Sequence, residues 1–391
     1  MLLQNIPSYK KIPDTEFLVD YFKNEVSDSK AVFLTHFHAD HYYGLKKSFK
    51  KKIICTATTK NLLKKIIGVE EKFLFEMEMY KFYEIEGSKV FCIDANHCPG
   101  SACFIFFVNS KIYLHTGDFR YQKNIHIDFF DFLSDDVKKI FKLSYPKFFD
   151  NNKKKFDIEY DAVYLDNTYE NKHVFKTQKE VIFDTLLFLK KEIEKKSILA
   201  EPKIKILFPT YLVGKERLAL CVAHYFNYEI YINERKENIF KCYSDYSIKE
   251  LNNFVINITE SFCEKYGKYQ KKKYLLTTVK SCVNADLSPF ERFQSKRKDS
   301  KIDLISSAHL NRKKINNFYE NERFDKIIAI FGSGWNEKID YWQYKRSDRR
   351  INKGIVLYYV PYSEHSSSKE LEMFKKSVSA KILIRTVNRK E

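Results

Sequence analysis

Residues 33–45 read FLTHFHADHYYGL, and within six positions they hold His36, His38, Asp40 and His41. Imidazole nitrogens and a carboxylate are the donors that a borderline divalent cation such as Zn²⁺ or Mn²⁺ accepts. His36 and His38 are two apart and share one side of an extended segment, whereas Asp40 and His41 are adjacent and diverge once the chain turns. Two pairs aimed in two directions suit two ions better than one. A single H-x-H is more often a core or surface pair, but H-x-H-x-D-H directly after an apolar strand is a much stronger metal signal.

Such ligands need a frame. EFLVD, AVFLTHFHAD, VFCIDANHCPG, KIYLHTGDFR and AVYLDNTYE are short apolar runs, each ending in Asp, His or both. One such end is an ordinary turn, where Asp and Asn are favoured for backbone reasons. Five in the first half of the chain predict strands whose polar ends converge on one site. FIFFVNSKIYL reads as two strands joined at Asn109-Ser110. Helical spacing then places Val181, Ile182, Leu186, Leu189 and Ile193 on one side of a helix. KILFPTYLVGKERLALCVAHYF reads as strand, turn and helix. Residues 230–325 show weak periodicity, broken by YLLTTV and KIDLISSA. KIIAIFGSGWNEK, GIVLYYVPYSEHSSSKELEMF and AKILIRTVN return to the strand-then-loop style. Of only 10 glycines, Gly44, Gly100, Gly117, Gly214, Gly332 and Gly334 lie in or beside polar strand ends.

The 391 residues are 44% apolar, enough for substantial cores. Lys and Arg number 69 against 51 Asp and Glu, a net charge of +18 that favours a polyanionic partner. Abundant Lys, Asn, Ile, Phe and Tyr with scarce Gly are also what AT-rich coding imposes whatever the function. Basic runs stand at KKSFKKK, KYQKKKY, SKRKDSK, NRKKINN and KRSDRR; most such runs are wet surface, and one or two are expected to track a phosphate backbone. No run of about 18 apolar residues occurs and MLLQNIPSYKKIP lacks a signal-peptide core, so the expectation is a soluble intracellular protein with no membrane contact. The 8 cysteines form no C-x-x-C pair and are expected to be free thiols in a reducing compartment.

THFHADHYYGL resembles the signature of the metallo-β-lactamase superfamily, and the chain resembles its β-CASP nuclease branch, most of all the Snm/Pso DNA cross-link repair exonucleases. IPDTEFLVD resembles the first family motif (Asp20), DANHCPGSACFIF the third (His97), LHTGDFR the fourth (Asp118), YLDNTY motif A (Asp166) and VPYSEHSS motif B (His365). Carried over residue by residue, the resemblance implies one ion on His36, His38, His97 and Asp118. A second would sit on Asp40, His41, Asp118 and His365, with Asp118 bridging. Asp20 and Asp166 would orient ligands, so that Asp20, Asp40, Asp118, Asp166 and His365 make up the catalytic group. The implied cofactor is one or two zinc ions, with Mn or Mg as alternatives at the second site.

The resemblance also implies a DNA partner with a 5′-phosphorylated end. TYLVGKE would bind that phosphate through Thr210, Gly214 and Lys215, joined by Arg120 and Ser363. The implied fold is α/β: an αββα metallo-β-lactamase sandwich over 1–195 and 346–391, with a β-CASP α/β domain inserted at 196–345. The implied activity is metal-dependent 5′-to-3′ DNA exonuclease action in DNA repair, with interstrand cross-links as the implied lesion; an RNA-processing β-CASP endonuclease or a structure-specific DNA endonuclease stands as the alternative. Val387 in IRTVN, where RNA-acting relatives usually carry histidine, resembles the DNA-acting branch. The expectation is a monomer, nuclear in a eukaryote and otherwise cytoplasmic. DFFDFLSDDVKKIFKLSYPKFFDNNKKKF is longer than the resemblance implies, and a helix at the site's edge is expected there.

Overall fold

Parallel strands covered on both faces carry near-continuous apolar runs, and the first half of the chain has that character. In the computed structural model the described residues are 6–23, 29–145, 149–150, 155–156, 158–170, 174–194, 203–268, 290, 293–294, 300–306, 324–335, 340–345 and 354–387. Strands β1 Phe17–Val19, β2 Ala31–Phe33, β3 Lys52–Thr56 and β4 Leu74–Met77 pair in that order, all parallel, as one sheet. A second sheet contains β5 Phe82–Ile85, β6 Ser88–Asp94, β7 Ala102–Val108 and β8 Lys111–His115, which run antiparallel. β12 Ala162–Leu165 and β21 Leu383–Arg385 extend it in parallel beyond β8. Asn109 and Ser110, both at positive φ, make the two-residue turn between β7 and β8. Two-residue ladders pair β9 Phe149–Asp150 with β10 Lys155–Phe156, and β11 Glu159–Tyr160 with β20 Ser379–Ala380.

Alternation along β7 shows how the layers stack. Ala102, Phe104, Phe106 and Val108 face a core shared with Phe17, Val19, Phe33 and Ile54 of the first sheet. Cys103, Ile105 and Phe107 face the opposite way, into a core with Phe119, Phe129, Phe141, Leu371 and Phe374. That second layer is helical: α2 Lys123–His126, α3 Asp135–Ser144 and α8 Ser368–Ser377. α1 Ala57–Leu62 lies against β3 and β4. The long segment after Arg120 thus does form a helix, α3, whose Phe141 packs on Phe82, Phe91 and Phe107 of the second sheet.

These elements belong to one compact unit, Met1–Val174 with Cys242–Ser244 and Glu364–Glu391; Phe175–Lys241 and Asp245–Ser363 make another. The sequence reading places its cuts at 195/196 and 345/346. In the second unit β13 Ile204–Thr210, β14 Ile230–Tyr231, β15 Phe293–Gln294, β16 Ile302–Ser306, β17 Lys326–Gly332, β18 Asp340–Lys345 and β19 Gly354–Val360 form one sheet, ordered β15-β14-β16-β13-β17-β19-β18. Only β18 is antiparallel to its neighbour among these described pairs.

Helices α4 Gln178–Glu194, α5 Glu216–Phe226, α6 Glu234–Phe240 and α7 Asp245–Tyr266 accompany it. Phe183 of α4 and Tyr225 of α5 both meet Phe262 of α7 edge-on, which ties α4 to the second unit. Ile193 is half-buried, and Glu192 is the buried residue there, paired with Lys326. No described helix is long and apolar enough to cross a membrane. Seven described cysteines are free and six of them buried; Cys282 and the YLLTTV run lie outside the described residues.

Candidate metal centre

β1, β2, β6, β8 and β12 end on the candidate ligands or just before them. Asp20 follows β1, His36 follows β2, His97 follows β6, Asp118 follows β8 and Asp166 follows β12. β1 runs parallel to β2, and β8 parallel to β12, so their carboxyl ends open on the same side within each sheet. Asp20 and Asn96 sit at positive φ, which short polar side chains tolerate. Gly117, at φ +54, lets the β8 loop pass over Thr35: a Cβ there would lie 2.7 Å from the Thr35 Cβ.

His36, His38, His97 and Asp118 present donor atoms all within 4.8 Å of one another; so do Asp40, His41 and Asp118, and so do Asp118, Asp166 and His365. Asp118 belongs to all three groups, and its Oδ2 faces four of the rings. It stands 3.2 Å from His41 Nε2, 3.6 Å from His36 Nε2, 3.8 Å from His365 Nε2 and 3.9 Å from His97 Nε2. His38 approaches through its other nitrogen, with Nδ1 2.9 Å from His36 Nε2 and 3.2 Å from His97 Nε2. Asp40 Oδ2 lies 3.8 Å from His41 Nε2, on the open side of the cluster, its side chain 80% exposed.

The far nitrogen of each ring decides what the near one can do. His97 Nδ1 donates to the Glu364 carbonyl (2.9 Å), His41 Nδ1 to Asp20 (2.8 Å) and His365 Nδ1 to Asp166 (2.9 Å). Thr35 Oγ1 gives its proton to Asp20 and so accepts from His36 Nδ1 at 3.0 Å. All four partners are acceptors there, so in the neutral rings the proton sits on Nδ1 and a bare lone pair on Nε2. Four lone pairs thus point at each other and at a carboxylate oxygen, an arrangement that a divalent cation satisfies. The donor set fits the group.

Without an ion, electrostatics divide the four rings, leaving His36 and His97 neutral and favouring charge on His41 and His365. Burial holds His36 and His97 well below the ordinary imidazole range. Burial also opposes charge on His41, but Asp118 and Asp20 outweigh it and raise that ring well above its usual value. For His365 burial is likewise overcome, by Asp166 and Asp118, and its pKa is pushed up to about 9. Asp118 is held well below the usual carboxylate range despite its burial, because His41 and His365 face it. The cluster is built around positive charge.

Asp20 also accepts from the Thr35 amide, and Asp166 from the Phe119 and Thr168 amides and the Thr168 hydroxyl. Thr35, Thr168 and the Glu364 carbonyl are parts of the site that sequence reading missed. A threonine beside a ligand carries no signature of its own, and a main-chain carbonyl carries none at all. Val387 and Asn167 exchange two hydrogen bonds, at 2.8 and 3.0 Å.

The candidate phosphate residues behave differently. Thr210, Gly214, Lys215 and Ser363 belong to the second unit. Thr210 is buried at the end of β13; Gly214, at φ +100, gives its amide to Glu216. Lys215, itself at positive φ, donates to the Gly332 carbonyl at 2.8 Å and lies 4.0 Å over the Tyr211 ring. Lys236 braces this loop through Glu216 (2.5 Å) and the Tyr211 and Leu212 carbonyls. Ser363 is buried, and its carbonyl accepts from Gln178. Arg120 is expected to meet substrate; its guanidinium is buried and paired instead with Glu370 at 3.1 Å, within the capping box of α8. Of the five basic runs only residues 46–52 are described throughout.

A family model described as "DNA repair metallo-beta-lactamase" matches residues 290–391. "DNA cross-link repair 1A protein" of Mus musculus is 27% identical over 98% of this chain and 31% of its own length; "DNA cross-link repair protein SNM1" of Arabidopsis thaliana is 28% identical over 98% and 66%. Over nearly its whole length the chain is similar to the Snm/Pso DNA cross-link repair proteins. "DNA ligase 6" of Arabidopsis thaliana is also similar, 30% identical over 98% of this chain and 23% of its own length. The chain therefore spans between about a quarter and two thirds of the length of these relatives. The His/Asp cluster offers the donors that a divalent metal takes, in keeping with the metallo-beta-lactamase description of the matching family model.

Proposed function

We propose that the chain is a metal-dependent 5′-to-3′ DNA exonuclease that starts at a 5′-phosphorylated end and works in repair of interstrand cross-links. The observation that carries the reading is the set of four Nε2 lone pairs, each fixed by an acceptor on the opposite nitrogen, gathered around Asp118 Oδ2. Near-complete coverage by repair proteins supports DNA as the substrate.

His36, His38, His97 and Asp118 would hold one ion and Asp40, His41, Asp118 and His365 the other. Zinc is the proposed metal, with Mn or Mg as alternatives at the second site. Divalent ions bound there supply water activation at neutral pH and positive charge against the phosphodiester oxygens. Asp20 keeps His41 in the ligating tautomer and, through Thr35, does the same for His36. Asp166 does this for His365, and the Glu364 carbonyl for His97. Thr210, Gly214 and Lys215 remain the proposed 5′-phosphate contacts. We read the two-sheet unit as the αββα sandwich and the second unit as the inserted β-CASP domain, in a nuclear, monomeric enzyme.

Digestion of a 3′-labelled DNA strand carrying a 5′-phosphate or a 5′-hydroxyl, beside matched RNA, tests this. The expected result is shortening from the 5′ end, faster with phosphate and abolished by His38→Ala. No DNA degradation, or degradation insensitive to His38→Ala, sinks it. RNA cut internally and faster than DNA replaces it with the endonuclease alternative.

A further inference from the structure

Tyr43 stands two residues after His41 and is 69% exposed, an unusual place to leave a large aromatic ring beside a ligand cluster. Loop slack is not the cause. The His41 and Tyr42 amides both donate to the His38 carbonyl, at 3.0 and 3.1 Å, and the Leu45 amide donates to Tyr42 at 2.9 Å. The Tyr42 ring packs on buried Phe37 at 4.6 Å, and Leu45 is buried. Gly44, at φ +92, passes so close to Phe22 that a Cβ would lie 2.9 Å from its carbonyl oxygen. The backbone on both sides of Tyr43 is anchored, and the ring is held out.

Its surroundings are basic. Lys23 Nζ stands 5.8 Å from the ring centroid, and Lys46, Lys47 and Lys50 are exposed on the segment that follows. Phe49 packs on Phe22 at 5.4 Å, so this lysine segment is tied to the one carrying Lys23. No acidic residue occurs between Tyr42 and Lys52. Asp40, on the same loop, is the exposed member of the ligand cluster, so the patch borders the open side of the centre.

We propose that Tyr43 stacks on an unpaired base of a single DNA strand at the metal centre, with Lys23, Lys46 and Lys47 holding its phosphates. This rests on the nuclease reading above. Lysines alone attract any polyanion, but an exposed ring framed by them fits a ligand that alternates planar faces with negative charge. A duplex hides its base faces in the stack; an unpaired strand presents them.

The test compares wild type, Tyr43→Ala, Tyr43→Phe and Tyr43→Trp on single-stranded DNA, with bound metal checked as unchanged. Tyr43→Ala is expected to raise KM about tenfold with kcat within about twofold, and the aromatic replacements to restore KM. On a strand made abasic throughout, wild type and Tyr43→Ala should have the same KM. Lys46→Ala with Lys47→Ala should lower the slope of log affinity against log salt by about 1.4, at about 0.7 per phosphate, while Tyr43→Ala leaves it unchanged. An unaltered KM in Tyr43→Ala, or no rescue by Tyr43→Phe, overturns the stacking role while leaving the nuclease reading intact. Failure of wild type to bind or digest any DNA overturns both.

Discussion

Asp20 and His41, from different strand ends, meet in a 2.8 Å hydrogen bond that places the imidazole proton on Nδ1 and turns Nε2 toward Asp118. Asp20→Asn tests what that bond does. An amide can satisfy Thr35 through its oxygen, but its NH2 cannot accept from His41. The tautomer is released, and affinity for the ion on His41 should fall roughly 10- to 100-fold. Isothermal titration of zinc into metal-stripped protein reads this directly. Equal affinity in the variant would remove Asp20 from the site's chemistry.

Asp118 Oδ2 faces four imidazole nitrogens. Asp118→Ala should therefore lose both ions, whereas His41→Ala should lose one, as elemental analysis of purified protein would show. Chelation should lower the wild-type melting temperature, since an ion at about 1,000 times its Kd contributes roughly 4 kcal/mol to the folded state. Asp118→Ala should melt identically with and without chelator.

His126 is in none of the ligand groups and is buried against Phe119, and burial pushes its pKa down from 6.5 to about 4. The folded chain keeps this ring neutral while the unfolded chain protonates it near pH 6.5. Its contribution is therefore fully present above pH 6.5 and is lost as pH falls toward 4, by about 3 kcal/mol at most. His126→Phe should flatten that part of the acid limb of a denaturant-midpoint profile. A wild-type profile matching the variant between pH 6.5 and 4 would contradict this.

Lys236 and Glu216 form a buried ion pair beneath the Tyr211–Lys215 turn. Lys236→Met strands the carboxylate and should cost about 3 to 5 kcal/mol. Lys236→Met combined with Glu216→Gln should recover a large part of that loss, measured by chemical denaturation. Additive losses would mean that the two residues act separately.

The candidate ligands are legible because Asp20, His36, His97 and Asp118 follow closely on short apolar runs, and a strand cannot hide the type of residue it delivers to its end. α7 was not legible. Its buried positions, Ser247, Leu251, Val255, Thr259 and Phe262, have helical spacing, but two are hydroxyl residues and the apolar period is lost. Glu192 shows the reverse case: a charged residue took the buried place assigned to Ile193 because Lys326 was there to pair with it. Arg120 read as a phosphate contact from its type alone, and Glu370, 250 residues onward, is the partner that the local sequence could not reveal. A separation of 267 residues likewise hides the Glu364 carbonyl behind His97.

That last contact has a consequence for the life of the polypeptide. His97 is held by residue 364, and His365 completes the cluster, so the ribosome finishes most of the chain before the site can assemble. A polypeptide cut short between Phe175 and Glu364 keeps His36, His38, His41, His97 and Asp118 but lacks that completion. If the proposed nuclease activity holds, nonsense and frameshift alleles in the second unit should accordingly behave as nulls rather than as unregulated enzymes.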